Sequence, residues 1–356
     1  MTIGDITAGG RVLIVTDAWH PQVNGVVRTL SKLAEVLADM GIEATFLTPE
    51  RFRSFPMPLY PDIRLALATP RQIARTIAEA VPDFIHIATE GPLGQLARRA
   101  CIRQGLVFTT SYHTKFPEYL SARLPIPESW TYAKLRNFHN SGQGCMVATA
   151  SLGQDLARRG FRNLRPWTRG VDAELFNPDR RGKLDLPGPI FLCVGRVAVE
   201  KNLPAFLDLD LPGSKVVVGD GPELAALKKR YPAAHFLGAL SNVELARVYA
   251  SSDVFVFPSR TDTFGNVLLE AMASGCPVAA YPVTGPIDIV RQGGALAEDL
   301  RDAAMLALDV SREAALANAS SYTWPACTRQ FLSYLRPAAG ASASSANVEK
   351  TAAAMS

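Results

Sequence analysis

The sequence predicts an α/β protein built from two doubly wound parallel-sheet domains that face each other across a cleft. Three observations predict it. Short apolar runs alternate with helix-period segments, and they do so twice over. A Pro/Gly-rich stretch with broken periodicity, Arg165 to Pro189, separates the two series. At 356 residues the chain also has the length of two domains of about 150 residues each.

The first series reads VLIVTD from Val12, ATFLTP from Ala44, FIHIAT from Phe84, VFTTSY from Val107 and CMVATA from Cys145. The second reads IFLCVG from Ile190, KVVVGD from Lys215, HFLG from His235, VFVFPS from Val254 and PVAAYP from Pro277. Runs this short and this continuously apolar suit parallel strands covered on both faces. Between the first two runs, Val26, Leu30, Leu33, Leu37 and Met40 recur at spacings of four and three, an amphipathic helix that Gly41 terminates. The expected organisation is a first domain over residues 1–165, a linker over 166–189, a second domain over 190–336 and a disordered Ala/Ser-rich tail over 337–356.

A composition of 48% hydrophobic and 20% charged residues excludes whole-chain disorder. No apolar run approaches the roughly 18 residues of a membrane-spanning helix. The run Val12 to Val15 is too short for a signal peptide, so the expected location is the cytosol or a membrane face. Five dispersed cysteines without a C-x-x-C pair read as buried apolar residues, and no metal site is expected. Residues 1–168 hold 19 basic against 13 acidic residues, the remainder 18 against 20. The basic first half suits an anionic partner or surface, or else scattered solvated charge. Nucleic acid is not expected, because there is no dense basic stripe and no recognisable binding motif.

Two such sheets place ligands at their carboxyl ends, so residues that follow the strands are the candidates. Gly25, in the turn from the first strand to the first helix, permits close backbone approach, and open amides at that helix start would attract an anion. Within SYHTKFPEY, His113 should sit at a strand end facing the cleft, as a ligand-binding imidazole or a satisfied loop histidine. In GRVAVEKN, Arg196 and Lys201 flank a turn into a helix. There a guanidinium fork and an ammonium point charge can clamp a diphosphate. In TDTFGNVLLEAMASGCPVAA, Asp262 and Glu270 are separated by a turn and helix start at Thr263, Phe264 and Gly265. A carboxylate at position 270 could accept both hydroxyls of a ribose while the Gly265, Asn266 and Val267 amides face phosphate.

The segments GRVAVEKN, VVVGDGPE, HFLGAL and PSRTDTFGNVLLEAMASGCPVAAYPVTG occur in the order and spacing of the retaining glycosyltransferases of family 4, and the chain resembles them from about Arg11 to about Leu335. The resemblance implies the two-domain architecture called GT-B. It implies that Arg196 and Lys201 bind the donor diphosphate, Glu270 the ribose, and His113 the donor sugar and reacting centre. Gly25 would lie under the phosphates, and Phe236 and Leu237 would line the base pocket. Asp262 takes the first place of the acid–seven residues–acid motif, where Glu is usual, and would contact sugar hydroxyls through a side chain one methylene shorter. Arg169 and Asp172 would help to close the cleft. The nucleotide-diphosphate sugar would be a co-substrate, with no metal or other cofactor required.

A narrower resemblance concerns the acceptor. DAWHPQVNGVVRTL, FRSFPMPLYPDIRLAL and SYHTKFPEY look like the bacterial lipid-glycosylating members, among them glucuronosyl-, glucosyl- and sulfoquinovosyl-diacylglycerol synthases and GDP-mannose-dependent mannosyltransferases. The stretch Arg51 to Leu67 mixes basic, aromatic and apolar residues, as a membrane-resting loop does or as a β-rich linker packed on its own domain does. Arg51, Phe52, Arg53, Phe55 and Tyr60 are its acceptor-side and membrane-side candidates. The expected partners are a diacylglycerol-like acceptor and an anionic membrane surface, with the chain peripheral on the cytoplasmic face of the inner membrane. The expected donor is UDP-glucuronate or UDP-glucose, and GDP-mannose is the alternative. A soluble or polysaccharide acceptor, a sugar-nucleotide epimerase and a non-catalytic nucleotide-sugar-binding module are the other readings.

Overall fold

The computed structural model describes residues 9–22, 24–57, 60–121 and 127–338. Its first half runs β1 (Arg11–Val15), α1 (Gly25–Asp39), β2 (Glu43–Leu47), β3 (Ser54–Met57), β4 (Tyr60–Ala66), α2 (Pro70–Ala80), β5 (Phe84–Ile87), α3 (Pro92–Gln104) and β6 (Thr109–Tyr112). It continues with α4 (Phe116–Ser121), α5 (Glu128–His139), β7 (Cys145–Val147), α6 (Ala150–Arg158) and β8 (Leu164–Pro166). The second half runs β9 (Ile190–Val194), α7 (Leu203–Leu207), β10 (Ser214–Val218), α8 (Leu224–Arg230), β11 (His235–Gly238), α9 (Asn242–Ser251) and β12 (Val254–Phe257). It ends with α10 (Asn266–Ala273), β13 (Val278–Ala280), α11 (Pro286–Ile289), β14 (Gly294–Leu296), α12 (Leu300–Ala307), α13 (Arg312–Ala319) and α14 (Trp324–Tyr334).

Two parallel six-stranded sheets result, ordered β2-β1-β5-β6-β7-β8 and β11-β10-β9-β12-β13-β14. All ten apolar runs read from the sequence are strands of these sheets. Each sheet is buried on both faces, which is why its strands lack alternation. Leu13, Val15, Ile85 and Ile87 face one layer of the first sheet, and Val12 and Ile14 face the other. Helix α1 buries Leu30, Leu33 and Leu37 on the second of these layers.

Strand order reverses beside β1 in the first sheet and beside β9 in the second. Crevices open where α/β sheets reverse in this way, and the β1–α1 and β9–α7 connections lie there. The glycines of VVVGDGPE serve this packing. A Cβ on Gly219, at φ +136°, would lie 1.9 Å from the Gly195 carbonyl oxygen, so only glycine lets β10 end against the β9 loop.

The last described helix is not part of the second domain. Helix α14 lies on the first, with Cys327, Phe331 and Leu335 packed in the cluster of Leu30, Leu33, Leu37 and Trp167. Trp167 Nε1 donates to the Cys327 carbonyl at 3.2 Å. A division at residue 336 therefore leaves out the return of α14. The first tail residues are also ordered, because Ala338 donates its amide to the Asp83 carbonyl at 2.8 Å and its carbonyl accepts from Val107. Residues 339–356 of the expected tail lie outside the described residues.

Strands β3 and β4 form an antiparallel hairpin beside the first sheet. The expected membrane-resting stretch is thus a hairpin, and Phe52 at its base packs into the first domain's core. Arg51 and Arg53 are exposed, and Phe55 is 43% exposed. Tyr60 starts β4, and its side chain lies outside the described residues. Among the described residues, no helix is long and apolar enough to cross a membrane.

Candidate active site

The two sheets turn their carboxyl ends toward each other, and contacts between the domains gather there. From β6, the His113 carbonyl accepts from Thr263 Oγ1 at 2.7 Å. From α1, Arg28 Nη1 donates to Glu270 Oε1 at 2.9 Å. From α6, Ser151 meets Asp288, with its amide at 3.0 Å from Oδ1 and its hydroxyl at 2.5 Å from Oδ2. Lys32 of α1 lies 3.5 Å from Asp172 Oδ2.

The second domain brings Lys201, Asp262 and Glu270 to this face. Lys201 closes a 3₁₀ turn at Val199–Lys201, and its ammonium donates to Asp262 Oδ1 at 2.6 Å. Among the described residues, Asp262 Oδ2 is buried without a hydrogen-bond partner, an acceptor open to a hydroxyl. Arg196, just past β9, is exposed, and with Lys201 it borders a small cavity also lined by Gly195, Leu203 and Ser259.

Glu270 sits in the second turn of α10 among buried Leu268, Leu269 and Met272, and its own side chain is 8% exposed. Oε1 accepts from Arg28, and Oε2 accepts from the Tyr249 hydroxyl at 3.2 Å. Burial raises the pKa of this carboxyl, and the nearby Arg28 charge opposes the shift. The same burial pushes the Tyr249 phenol well up, so it remains a donor.

The helix starts differ from expectation. The amides of Val26 and Val27, expected to be open beneath a phosphate, are both occupied by Asn24 Oδ1 at 3.0 Å. Asparagine is a strong N-cap, and here it satisfies the first turn itself. Helix α10 has no side-chain cap: its N-cap is Gly265 at φ +91°, where a side chain would be strained. The two helix starts meet, and a Cβ built on Gly25 would lie 3.7 Å from Asn266 Nδ2.

The His113 ring is engaged within the protein on both sides. Arg169 Nη2 lies 3.1 Å from Nδ1, and a guanidinium can only donate, so Nδ1 accepts. The neutral ring then carries its proton on Nε2 and donates to Ser111 Oγ at 2.8 Å. Burial first, then the Arg169 charge, holds the pKa of His113 well below its ordinary value. What this residue turns to the second domain is its backbone carbonyl. Beneath it, His86 spans Ser111 Oγ at 3.1 Å and Thr109 Oγ1 at 2.9 Å, and burial lowers its pKa to about 3.

Arg169 is 5% exposed and donates to the carbonyls of Trp167 and Thr168 at 2.8 and 3.0 Å. Its guanidinium lies 4.5 Å from the Trp167 ring and 5.9 Å from Phe264, and burial lowers its pKa to about 10.

Of the remaining donor-side candidates, Phe264 is a core side chain at 4% exposure, and Val267 packs on the same core. Phe236 is half-buried on edge strand β11, where its neighbour Leu237 is 41% exposed. Arg28 and Tyr249 carry no motif, and the sequence reading missed both. Arg28 lies only three residues beyond Gly25 in a segment that was singled out, but its target is 242 residues away.

Among the described residues no cluster of three or more His, Cys, Asp or Glu could hold a metal. An Asp-x-Asp triplet, Asp208-Leu209-Asp210, does occur, but it precedes β10 at the opposite end of the sheet. Asp208 there accepts from the Tyr231 hydroxyl at 2.7 Å. All five cysteines are free and buried.

Family models described as "Glycosyltransferase Family 4" and "Glycosyl transferases group 1" match residues 23–175 and 188–319. A GDP-mannose-dependent alpha-mannosyltransferase of Mycobacterium tuberculosis is 32% identical over 79% of this chain and 82% of its own length. The Arabidopsis thaliana sulfoquinovosyl transferase SQD2 is 35% identical over 78% of this chain and 60% of its own. An alpha-monoglucosyldiacylglycerol synthase of Streptococcus pneumoniae is 26% identical over 76% and 71%. In structure, Anabaena Alr3699/HepE, solved with UDP and glucose, superposes with a TM-score of 0.65 over 90% of this chain and 97% of its own, at 15% identity.

Proposed function

The chain belongs to glycosyltransferase family 4, with the GT-B fold, and on that premise we propose that it transfers a hexose or hexuronic acid from a nucleotide-diphosphate sugar to a lipid alcohol such as diacylglycerol. The observation that carries this reading is the convergence of Arg196, Lys201, Asp262 and Glu270 at the carboxyl end of the second sheet, against Gly25 and His113 of the first. In this reading Glu270 accepts the ribose hydroxyls. Arg196, Lys201 and the uncapped start of α10 stabilise the charge that grows on the departing diphosphate. Asp262 Oδ2 accepts from a sugar hydroxyl.

The configuration at the anomeric carbon is retained, by attack on the face from which the diphosphate leaves, with a phosphate oxygen taking the acceptor's proton. No metal is needed in this scheme. Trapping a covalent glycosyl-enzyme during turnover would contradict it. The exposed Arg53 and Phe55 of the hairpin, with Arg51 in the turn just before it, suit an anionic lipid surface, where each nearby cation contributes about 1 kcal/mol. A peripheral position on the cytoplasmic face follows from this reading.

The likeness to the alpha-monoglucosyldiacylglycerol synthase supports a lipid acceptor and a UDP-glucose or UDP-glucuronate donor. A second reading, transfer from GDP-mannose, is favoured by the identity and coverage of the mannosyltransferase relative. The test follows release of nucleoside diphosphate from UDP-glucose, UDP-glucuronate and GDP-mannose, with and without diacylglycerol liposomes. Release that requires the lipid is expected. Conversion of the donor without an acceptor would point to an epimerase instead, and binding without turnover to a non-catalytic module.

A further inference from the structure

Glu270 is a carboxylate in an apolar pocket, and its one ion pair among the described residues comes from the opposite domain. Arg28 lies in the first turn of α1, and its side chain, 41% exposed, reaches across the cleft to Oε1. Among the described residues, no other charged group is paired with this carboxylate from the elements packed on α10. From α9 comes the Tyr249 hydroxyl. Arg312 of α13 is turned to the carbonyls of Ala250, Gly275 and Ser252, and it also lies 3.7 Å from Asp253. Asp288 of α11 is held by Ser151, and the Cys276 thiol that precedes β13 is buried, with its pKa pushed up. Strands β12 and β13 contribute only apolar residues.

We propose that Arg28 is a positioning residue through which the first domain keeps the Glu270 carboxylate ionised and aligned, so that closing the cleft and readying the ribose site are one linked event. The proposal rests on the reading that Glu270 accepts the ribose hydroxyls. A carboxylate offers about four lone-pair directions, and Arg28 and Tyr249 use two of them. Two remain for a ribose diol while Arg28 stays in place. When the domains part, the guanidinium leaves with α1. Closure buries the carboxyl, burial favours its protonated form, which is a poorer acceptor, and the guanidinium that arrives with α1 opposes that shift. Donor binding therefore favours the closed state by the same factor by which closure favours donor binding.

The test is calorimetric titration of UDP-glucose and GDP-mannose, whose phosphates do not titrate in this range, from pH 5.5 to pH 8.5. Wild-type protein should bind one of them with Kd changing less than threefold. R28Q should bind at least tenfold more weakly at pH 5.5 than at pH 8.5, and R28K, which keeps a cation, should restore most of the affinity at low pH. In an E270Q background, R28Q should change Kd less than twofold at every pH. A flat R28Q profile, or an equal loss in the E270Q background, overturns the proposal alone. Wild-type protein that binds neither nucleotide sugar overturns the functional reading and the proposal with it.

Discussion

Replacing Lys201 by methionine separates what this side chain does for the fold from what it does for the reaction. Its ammonium and Asp262 Oδ1 are 2.6 Å apart, and the two side chains are 26% and 17% exposed. Exposed pairs contribute about 0–1 kcal/mol, whereas removing one partner of a buried pair costs about 3–5 kcal/mol. This pair lies between the two cases, and Asp262 Oδ2 is already unpartnered, so K201M should cost about 2 kcal/mol. In a domain of this size that lowers Tm by about 4–8 °C. The second substitution in K201M/D262N removes the stranded carboxylate and should recover most of that loss. Activity should follow a different rule. If Lys201 stabilises the departing diphosphate, kcat/KM should fall about 10²-fold or more in K201M and should not return in the double variant. Differential scanning calorimetry and initial rates on the same preparations read both quantities. Turnover within a few-fold of wild type in K201M would remove Lys201 from the reaction, and a double variant no more stable than the single one would remove the pair from the fold.

Other sites make independent predictions. Asp17 accepts from the amides of Leu93 and Gly94 at the start of α3, yet burial pushes its pKa up to about 6 from 3.8. Its contribution is therefore greatest below pH 4 and is lost as pH rises through 6. Denaturant titrations should show wild type losing up to about 3 kcal/mol relative to D17N between pH 4 and pH 7. His113 is neutral while Arg169 faces it, so R169M should raise its pKa and move any acid limb of the kcat/KM profile to higher pH. An unchanged profile would mean that the imidazole does not titrate in the rate-determining complex. The double variant R53E/F55E should reduce flotation with anionic liposomes several-fold while leaving Tm within a few degrees, because both side chains are exposed. Undiminished flotation would exclude the hairpin as the lipid-facing element.

The sheets were legible because burial on both faces leaves short, wholly apolar runs, and β1, β9 and β12 each read so. The misses have separate causes. Strands β8 and β14, LRP and GAL, lie at sheet edges with three residues each, too few for any pattern. The return of α14 was hidden because an amphipathic helix shows that it has an apolar face but not which domain will cover it. Within the site, motifs identify residues by local spacing, so Lys201, Asp262 and Glu270 were all found. Arg28 and Tyr249 acquire meaning only once α1 and α9 are packed against α10. The open amides expected at Gly25 were misjudged for a local reason, since the preceding Asn24 already caps them.

Radiolabel transfer to lipid tests the central claim most directly. UDP-glucose, UDP-glucuronate and GDP-mannose, each labelled in the sugar, are incubated in parallel with the protein and anionic liposomes that contain diacylglycerol. The account predicts label in the lipid fraction from one of the three donors, lost in K201M. Donor consumed with all of the label left in water would contradict transfer to a lipid.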